Sequence, residues 1–232
     1  MQSNQHNVVM EVLRRLEKAG VLEGIVLVGS WCLYFYRAYF SEKDTFSILR
    51  TRDIDFLVPI PPQRLKEVDL PELLDDLGFV QQVKAGGYIQ LVHPEVMLEF
   101  LVAERGRGSE KPYPLPQLGL NAQALRFMDI ADKFSIRLEY EGIILRVPHP
   151  AAFALHKLVI VPRRKNKAKA ERDSRSAIEI LNLLFRADDT AMMVELLGHF
   201  PSSWKKTIYQ VLSSSESGLV DQLRRLDPSG KG

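Results

Sequence analysis

The chain has 232 residues, 46% hydrophobic and 26% charged, which is typical of a globular protein with one large domain or two small ones. Its 31 basic and 29 acidic residues nearly cancel, so net charge alone does not indicate nucleic-acid binding. A single cysteine, Cys32, excludes an internal disulfide. With no export signal and no apolar stretch long enough to cross a bilayer, the sequence predicts a soluble, cytoplasmic protein.

The first forty residues predict a helix, a strand and a second helix. Apolar residues recur at helical spacing over 8–19, and Gly20 supplies a stop. The apolar run 24–30 predicts a buried strand that ends in Gly29 and Ser30. The aromatic stretch 31–40 is apolar on nearly all sides, which favours a buried helix, and its aromatic residues and Cys32 are interpreted as core. Residues 41–50 resemble a loop.

Alternating patterns predict a sheet in the middle of the chain. A strand is expected over 51–60 and a helix over 69–78, and three further strands are expected over 79–84, 88–94 and 96–102. Such a run of short strands makes a mixed or antiparallel sheet. The Gly- and Pro-rich segment 104–122 predicts a long surface loop.

The last part of the chain predicts a hairpin followed by helices only. Residues 137–148 alternate around a turn at Gly142, and helical periodicity begins after Pro150. We therefore expect an α+β domain over residues 1–148, with its sheet flanked by helices, and a helical domain over residues 149–232.

Two acidic residues share one face of the strand 51–60. Successive side chains of a strand point to opposite faces, so Asp53 and Asp55 project together while Ile54 and Phe56 project the other way. Adjacent carboxylates repel one another, and a divalent cation with oxygen ligands relieves that repulsion. An acidic pair on a solvent-facing strand is the alternative interpretation.

A third acidic residue interrupts an apolar strand. Glu99 lies within VMLEFLV, where an ionised carboxylate is costly unless it is exposed, paired or bound to a metal. It is a candidate third metal ligand. A half-buried strand with a solvent-exposed face, or an ion pair with an arginine, is the alternative interpretation.

The strand that ends at Gly29 and Ser30 leads directly into a helix. Backbone N–H groups and a hydroxyl at such a helix start can bind phosphate, and glycine allows close approach. A tight turn with Ser30 as a helix cap is the simpler alternative.

Taken in order, VGS, RTRDIDFLV and LEFLV resemble the DNA polymerase β-like nucleotidyltransferase superfamily. The approach Arg50, Thr51 and Arg52 is most similar to the branch of AbiEii-type toxin nucleotidyltransferases. The later segments RVPHPAAFALHKLVI and KAERDSRSAIEIL are similar to that branch's helical region. The resemblance covers roughly residues 24–185, and it implies the nucleotidyltransferase fold.

The resemblance also implies a reaction. Asp53, Asp55 and Glu99 would hold Mg²⁺ or Mn²⁺, with two ions expected, and Glu99 could act as a base. Gly29, Ser30 and Arg52 would bind the phosphates of an NTP. An NMP would pass to a hydroxyl of RNA such as tRNA, of protein or of a small molecule, with release of pyrophosphate. A cognate antitoxin is an implied partner.

Basic residues crowd the stretch 157–175. Lys157, together with Lys169 or Arg172, is predicted to bind the triphosphate or an RNA acceptor, because cationic side chains neutralise phosphate charge. A solvated basic surface is the alternative.

Two other functions remain open at the level of sequence. One is an inactive nucleotidyltransferase-fold module that binds nucleotide, nucleic acid or a partner protein. The other is an unrelated α+β scaffold in which Asp53 and Asp55 are surface residues. Metal-dependent NTP binding and turnover discriminate among the three.

Overall fold

The computed structural model describes residues 2–40, 51–62, 65–104 and 111–227, and the chain divides into two compact units, residues 1–148 and 149–232. The strands are β1 (Val26–Val28), β2 (Asp53–Leu57), β3 (Val80–Val83), β4 (Ile89–Val92), β5 (Met97–Ala103), β6 (Tyr113–Leu115), β7 (Leu120–Leu125), β8 (Ser135–Tyr140) and β9 (Ile143–Pro148). The helices are α1 (Gln2–Lys18), α2 (Cys32–Phe40), α3 (Leu70–Leu74), α4 (Asp129–Lys133), α5 (Pro150–Ile160), α6 (Lys167–Arg186), α7 (Ala191–His199), α8 (Ser202–Ser213) and α9 (Ser217–Leu226).

The first unit contains a mixed sheet, as the sequence predicted. Its main path is β1-β2-β5-β4-β3, and β7 joins the same sheet by pairing with β5. The β2–β5 pair is parallel, whereas β1–β2, β4–β5 and β3–β4 are antiparallel. β5 therefore lies next to β2 on one edge and next to β4 and β7 on the other. β8 and β9 form the separate predicted hairpin.

The prediction of a loop over residues 104–122 was wrong in its second half. Tyr113–Leu115 and Leu120–Leu125 form strands, and the second pairs in parallel with β5. Leu115, Leu118 and Ala122 are buried, so this segment contributes to the core despite its prolines and glycines. The predicted loop 41–50 lies outside the described residues.

The two faces of the central strands differ in character. Ile54, Phe56, Leu98 and Phe100 are buried on one face, where the Phe56 and Phe100 rings stack with centroids 5.6 Å apart. The opposite face carries Asp53, Asp55 and Glu99 in the first half of β2 and β5. It becomes apolar where Leu57 and Leu101 pack with Val26, Val28, Met128 and Ala131. This arrangement confines the polar part of that face to the start of β2 and β5.

The second unit is helical over its described residues, which confirms the predicted helical region. Helix α6 begins at an Asn166 cap, whose side chain accepts a hydrogen bond from the Lys169 N–H at 3.0 Å. Leu181 and Leu184 lie on its buried face. Among the helices that the structure describes, none is long and apolar enough to cross a membrane.

Candidate active site

The parallel pairing of β2 with β5 places the predicted carboxylates on one face of the sheet. Asp55 lies directly opposite Glu99, and Asp53 lies opposite Met97. Neighbouring strands are about 4.8 Å apart, and residues two apart on a strand share a face. Asp53, Asp55 and Glu99 are therefore neighbours, and all three are half-buried. Local alternation predicted the face of each residue, while the register brings the three together.

Gly29 lies against the carboxylate of Asp55. Its φ of +75° is in the left-handed region, and a Cβ at this position would lie 2.2 Å from Asp55 Oδ2. The register of β1 with β2 explains this contact, because Val28 is the partner of Asp55. Gly29 and Ser30 then begin a 3₁₀ turn that continues into α2. Only glycine leaves room for the carboxylate beside the turn.

Glu99 has two partners that sequence reasoning missed. Its Oε1 accepts a hydrogen bond from Gln90 Nε2 at 2.7 Å and also forms an ion pair with Lys84 Nζ. Gln90 is the register partner of Glu99 on β4 and is 2% exposed. A polar residue inside the apolar strand YIQLV was the available signal for Gln90. Lys84 follows the edge strand β3, and its sequence context gave no signal.

These carboxylates provide only part of the predicted metal site in the present arrangement. Within the described ranges, no group of three or more His, Cys, Asp or Glu side chains lies close enough to hold a metal ion. Asp53 and Asp55 offer the oxygen donors that Mg²⁺ and Mn²⁺ prefer. Because Gly29 has no Cβ, it leaves room for the Asp55 carboxylate at this position. The chemistry of the two carboxylates suits a hard divalent ion. The assignment of Glu99 as a third ligand stays a prediction.

A small pocket opens beside Glu99, on the side of the sheet path away from β2. Its volume is about 170 Å³, and Lys84, Tyr88, Gln90, Glu99 and Gln123 contribute to its lining. Ligand pockets for drug-sized molecules are usually about 300–1,000 Å³. The pocket is therefore suited to a small group rather than to a whole nucleotide.

A sequence model of the nucleotidyltransferase family matches residues 7–195, which include Gly29 and all three carboxylates. The chain belongs to the nucleotidyltransferase family. The matched range also includes the helical region that the sequence resemblance indicated, which ends near residue 185. No curated protein sequence matches the chain.

Three solved structures are similar to this chain. A crystal structure of an antigenic nucleotidyltransferase-like protein from Paracoccidioides brasiliensis is 15% identical, with a TM-score of 0.55 over 95% of this chain and 92% of that chain. The solution structure of the antibiotic-resistance factor ANT(2″)-Ia is 13% identical, with a TM-score of 0.46 over 83% and 96%. A crystal structure of ANT(2″)-Ia with adenylyl-2″-tobramycin gives a TM-score of 0.38 at 13% identity, covering 99% of each chain. The first of these likenesses supports the α+β fold and nothing beyond it.

Arg52 is exposed and already has a partner. Its Nη2 donates a hydrogen bond to the backbone carbonyl of His93 at 3.0 Å, while its own carbonyl accepts from Met97 N. This second bond continues the β2–β5 pairing by one residue. These two hydrogen bonds attach Arg52 to the segment that leads into β5, at the start of the β2–β5 pair. The contact of Arg52 with phosphate stays a prediction.

The predicted basic residues of the helical unit fall into two classes. Lys157 is 6% exposed and pairs with Asp173, which also binds Arg164 Nε at 2.8 Å. Burial opposes the charge on Asp173, but Lys157 and Arg164 outweigh it and lower the pKa of this carboxyl. Lys169 and Arg172 are exposed. The structure therefore gives Lys157 a structural partner and leaves Lys169 and Arg172 on the surface of their unit.

His156 makes the stability of the protein sensitive to acid. Burial, reinforced by Lys157 and Arg164, lowers the pKa of His156 to about 4, and within the described residues its Nε2 has no hydrogen-bond partner. The unfolded chain binds this proton below about pH 6.5 and the folded chain only near pH 4, so stability falls as pH drops through that window. We expect about 2 kcal/mol to be lost from this residue between pH 7 and pH 5.

His156→Leu tests this expectation. Urea unfolding measures the free energy of unfolding at pH 7 and at pH 5. The decrease in this free energy from pH 7 to pH 5 should be about 2 kcal/mol smaller in the variant than in the wild type. Burial also lowers the pKa of His149, so some acid sensitivity of the same sign is expected to persist. An unchanged difference in the variant would show that His156 does not titrate as the structure indicates.

Proposed function

We propose that this chain is a metal-dependent nucleotidyltransferase that transfers an NMP from an NTP to a hydroxyl acceptor. The observation that carries the proposal is the register of β2 with β5, which sets Asp55 opposite Glu99 and puts Asp53 on the same face. Gly29 lies against Asp55, so the 3₁₀ turn that leads into α2 begins beside these carboxylates.

Each group would have a defined part in the reaction. The N–H groups at Gly29 and Ser30 bind the β- and γ-phosphates. Asp53 and Asp55 hold a divalent ion, Mg²⁺ or Mn²⁺, which when bound neutralises charge on the triphosphate. The acceptor oxygen attacks the α-phosphorus, a new O–P bond forms, and the bond to the β-phosphate oxygen breaks. Pyrophosphate leaves with the electron pair, and Glu99 accepts the acceptor's proton.

The charge distribution favours a phosphate-rich acceptor such as RNA, including tRNA, over a protein hydroxyl or a small molecule. Residues 149–232 contain 14 basic and 9 acidic residues, whereas residues 1–148 contain 17 basic and 20 acidic residues. Exposed cations such as Lys169 and Arg172 bind phosphates without sequence preference. We include in the proposal the AbiEii-type toxin branch, a cognate antitoxin and a cytoplasmic location, all of which rest on the sequence resemblance and composition.

Nucleotide titration calorimetry tests the proposal. With Mg²⁺ present, at least one of ATP, GTP, CTP and UTP should bind with a dissociation constant of about 1 μM to 1 mM, the typical range for enzyme substrates. The Asp53→Asn, Asp55→Asn double variant should bind at least about tenfold more weakly, because it loses the charges that hold the ion; tenfold corresponds to about 1.4 kcal/mol. Omitting Mg²⁺ should have the same effect on the wild type.

A variant with the same change in charge provides the control. Glu67 and Asp75 are exposed acidic residues of the same unit, so the Glu67→Gln, Asp75→Asn variant should bind nucleotide like the wild type. Equal affinity in both double variants would remove the carboxylate face from the proposal. Failure of all four nucleotides to bind the wild type would overturn it.

A second candidate function is an inactive module that binds nucleotide or a partner without turnover. The ion pair between Glu99 and Lys84 favours it, since Lys84 occupies an oxygen of the carboxylate that the reaction would use. Such a module would bind NTP with Mg²⁺ and release no pyrophosphate with any RNA or protein acceptor.

A further inference from the structure

The helical unit contains an open cavity that is lined by α8 and the end of α9. Its volume is about 590 Å³, within the range of about 300–1,000 Å³ that is usual for ligand pockets. Along α8 the lining residues recur every three or four positions from Ser202 to Ser213, so they share one face of the helix. Arg224 and Asp227 line the cavity from the end of α9. The family match ends at residue 195 and includes neither helix.

A buried polar network forms part of the cavity wall. Lys205 is 9% exposed and Asp227 is 5% exposed. Lys205 Nζ donates a hydrogen bond to Asp227 Oδ1 at 2.8 Å, and the Tyr209 hydroxyl donates to Oδ2 at 2.9 Å. Burial and the hydrogen bond to Asp227 raise the pKa of Tyr209, so its phenol stays neutral. Both oxygens of the Asp227 carboxylate are therefore engaged within the wall.

Two cationic side chains face the same cavity from its exposed side. Lys206 and Arg224 line it, and neither forms an ion pair with a described residue. The Arg224 guanidinium lies 5.5 Å from the centroid of the Tyr209 ring, a contact that uses none of its N–H donors. Asp227 is the only acidic residue among the described residues of the lining. The accessible charge of the cavity is therefore positive.

The start of α8 contributes to the same potential. Ser202 lines the cavity and is the first residue of this helix of 12 residues, and no described side chain caps it. The N-terminal end of a helix carries a partial positive charge and N–H groups without a partner in the helix. These groups add to the two cations, which are the main attraction for an anion.

We propose that this cavity binds a phosphate monoester. Such a group carries a charge of about −1.5 to −2 at pH 7, which matches the two positive charges of Lys206 and Arg224. A guanidinium can donate two hydrogen bonds to phosphate oxygens, while an ammonium acts as a point charge. The same group occurs on sugar phosphates and at the 5′ end of RNA. The volume leaves room for the attached sugar, within reach of polar side chains such as Gln210.

Calorimetric titration of the full-length protein with ribose 5-phosphate in EDTA tests this inference. We expect a dissociation constant below about 1 mM for ribose 5-phosphate and no binding of ribose, which lacks the phosphate. The Lys206→Met, Arg224→Met double variant should bind at least about tenfold more weakly. Because the titration uses neither a nucleotide triphosphate nor a metal ion, its outcome does not depend on the proposed function.

A second double variant with the same change in charge is the control. Lys167 and Arg225 are exposed residues of the same unit that do not line the cavity, and Arg225 follows Arg224 on α9. The Lys167→Met, Arg225→Met variant should bind ribose 5-phosphate like the wild type. Circular dichroism melting shows that each variant is folded.

A short RNA with a 5′-phosphate, compared with the same RNA ending in a 5′-hydroxyl, identifies the source of the group. Phosphate-dependent binding at least about tenfold tighter than that of ribose 5-phosphate would assign the cavity to RNA ends, and equal or weaker binding would assign it to small molecules. Absence of binding by both phosphorylated probes would overturn the inference. Equal affinities for ribose and ribose 5-phosphate, or equal losses in the two double variants, would overturn it as well.

Discussion

Replacing Lys157 with Met is expected to lower the free energy of unfolding of the helical unit by about 3–5 kcal/mol. Lys157 and Asp173 are both nearly fully buried, and the substitution leaves the Asp173 carboxylate with only the partly exposed Arg164 as a partner. A buried carboxylate that loses one of its two cationic partners is costly, because the interior cannot replace the water that would solvate the remaining charge. The loss should be visible as a large drop in the urea concentration at the midpoint of unfolding.

The measurement can be confined to the helical unit. The chain has two tryptophans, Trp31 in the first unit and Trp204 in the second, so a Trp31→Phe background makes fluorescence a report on the helical unit alone. Lys169→Met, which removes an exposed lysine, should change stability by less than about 0.5 kcal/mol.

A second substitution separates the buried charge from other causes. Lys157→Met combined with Asp173→Asn removes the buried carboxylate together with its lysine partner, so most of the lost stability should return. If Lys157→Met instead left stability unchanged and weakened NTP binding, the phosphate-binding role predicted from the sequence would be correct and the structural one wrong.

Gly29→Ala is expected to abolish most of the Mg²⁺-dependent NTP binding and to destabilise the first unit as well. The left-handed φ of Gly29 costs a residue with a side chain about 1–2 kcal/mol. In addition, the new Cβ would lie 2.2 Å from Asp55 Oδ2, so the carboxylate has to move. We expect nucleotide affinity to fall at least about tenfold, a change of about 1.4 kcal/mol or more.

Gly142→Ala is the matched control. Gly142 has a φ of +78°, but a Cβ there meets nothing within 4 Å. This variant should lose a similar amount of stability from backbone strain and bind NTP like the wild type. Calorimetry and thermal melting of the two variants therefore distinguish displacement of Asp55 from general destabilisation. Equal nucleotide affinities in both variants would contradict a role for the contact between Gly29 and Asp55.

Much of the fold could be predicted because it depends on local patterns. Period-two alternation identified β2, β4 and β5, and helical periodicity identified α1 and the helices after Pro150. The strands β6 and β7 were missed, since Gly and Pro residues indicate loops when only neighbours in sequence are considered. Their pairing with one another and with β5 outweighs that local preference.

For the candidate site too, the sequence predicted the features that depend on neighbouring residues and not the contacts between distant ones. The alternation of Asp53 with Ile54 and Asp55 requires a shared carboxylate face in any strand. The sequence also offered an ion pair with an arginine as an alternative for Glu99, but the partner is a lysine. Lys84 lies 15 residues away and approaches through the β3–β4 hairpin. Likewise, the density of basic residues around Lys157 did not reveal that Asp173 holds it.

The sequence by itself determined most of the elements that form, which strand faces carry the carboxylates, and the order of motifs that indicates a nucleotidyltransferase. These properties follow from the period of each element and from the chemistry of adjacent residues. Only the tertiary structure decided that Asp55 pairs in register with Glu99, that Gly29 abuts Asp55, and that Lys84 and Asp173 neutralise particular partners. Such contacts join residues that are distant in sequence, and their formation depends on how strands pair and helices pack rather than on any local pattern.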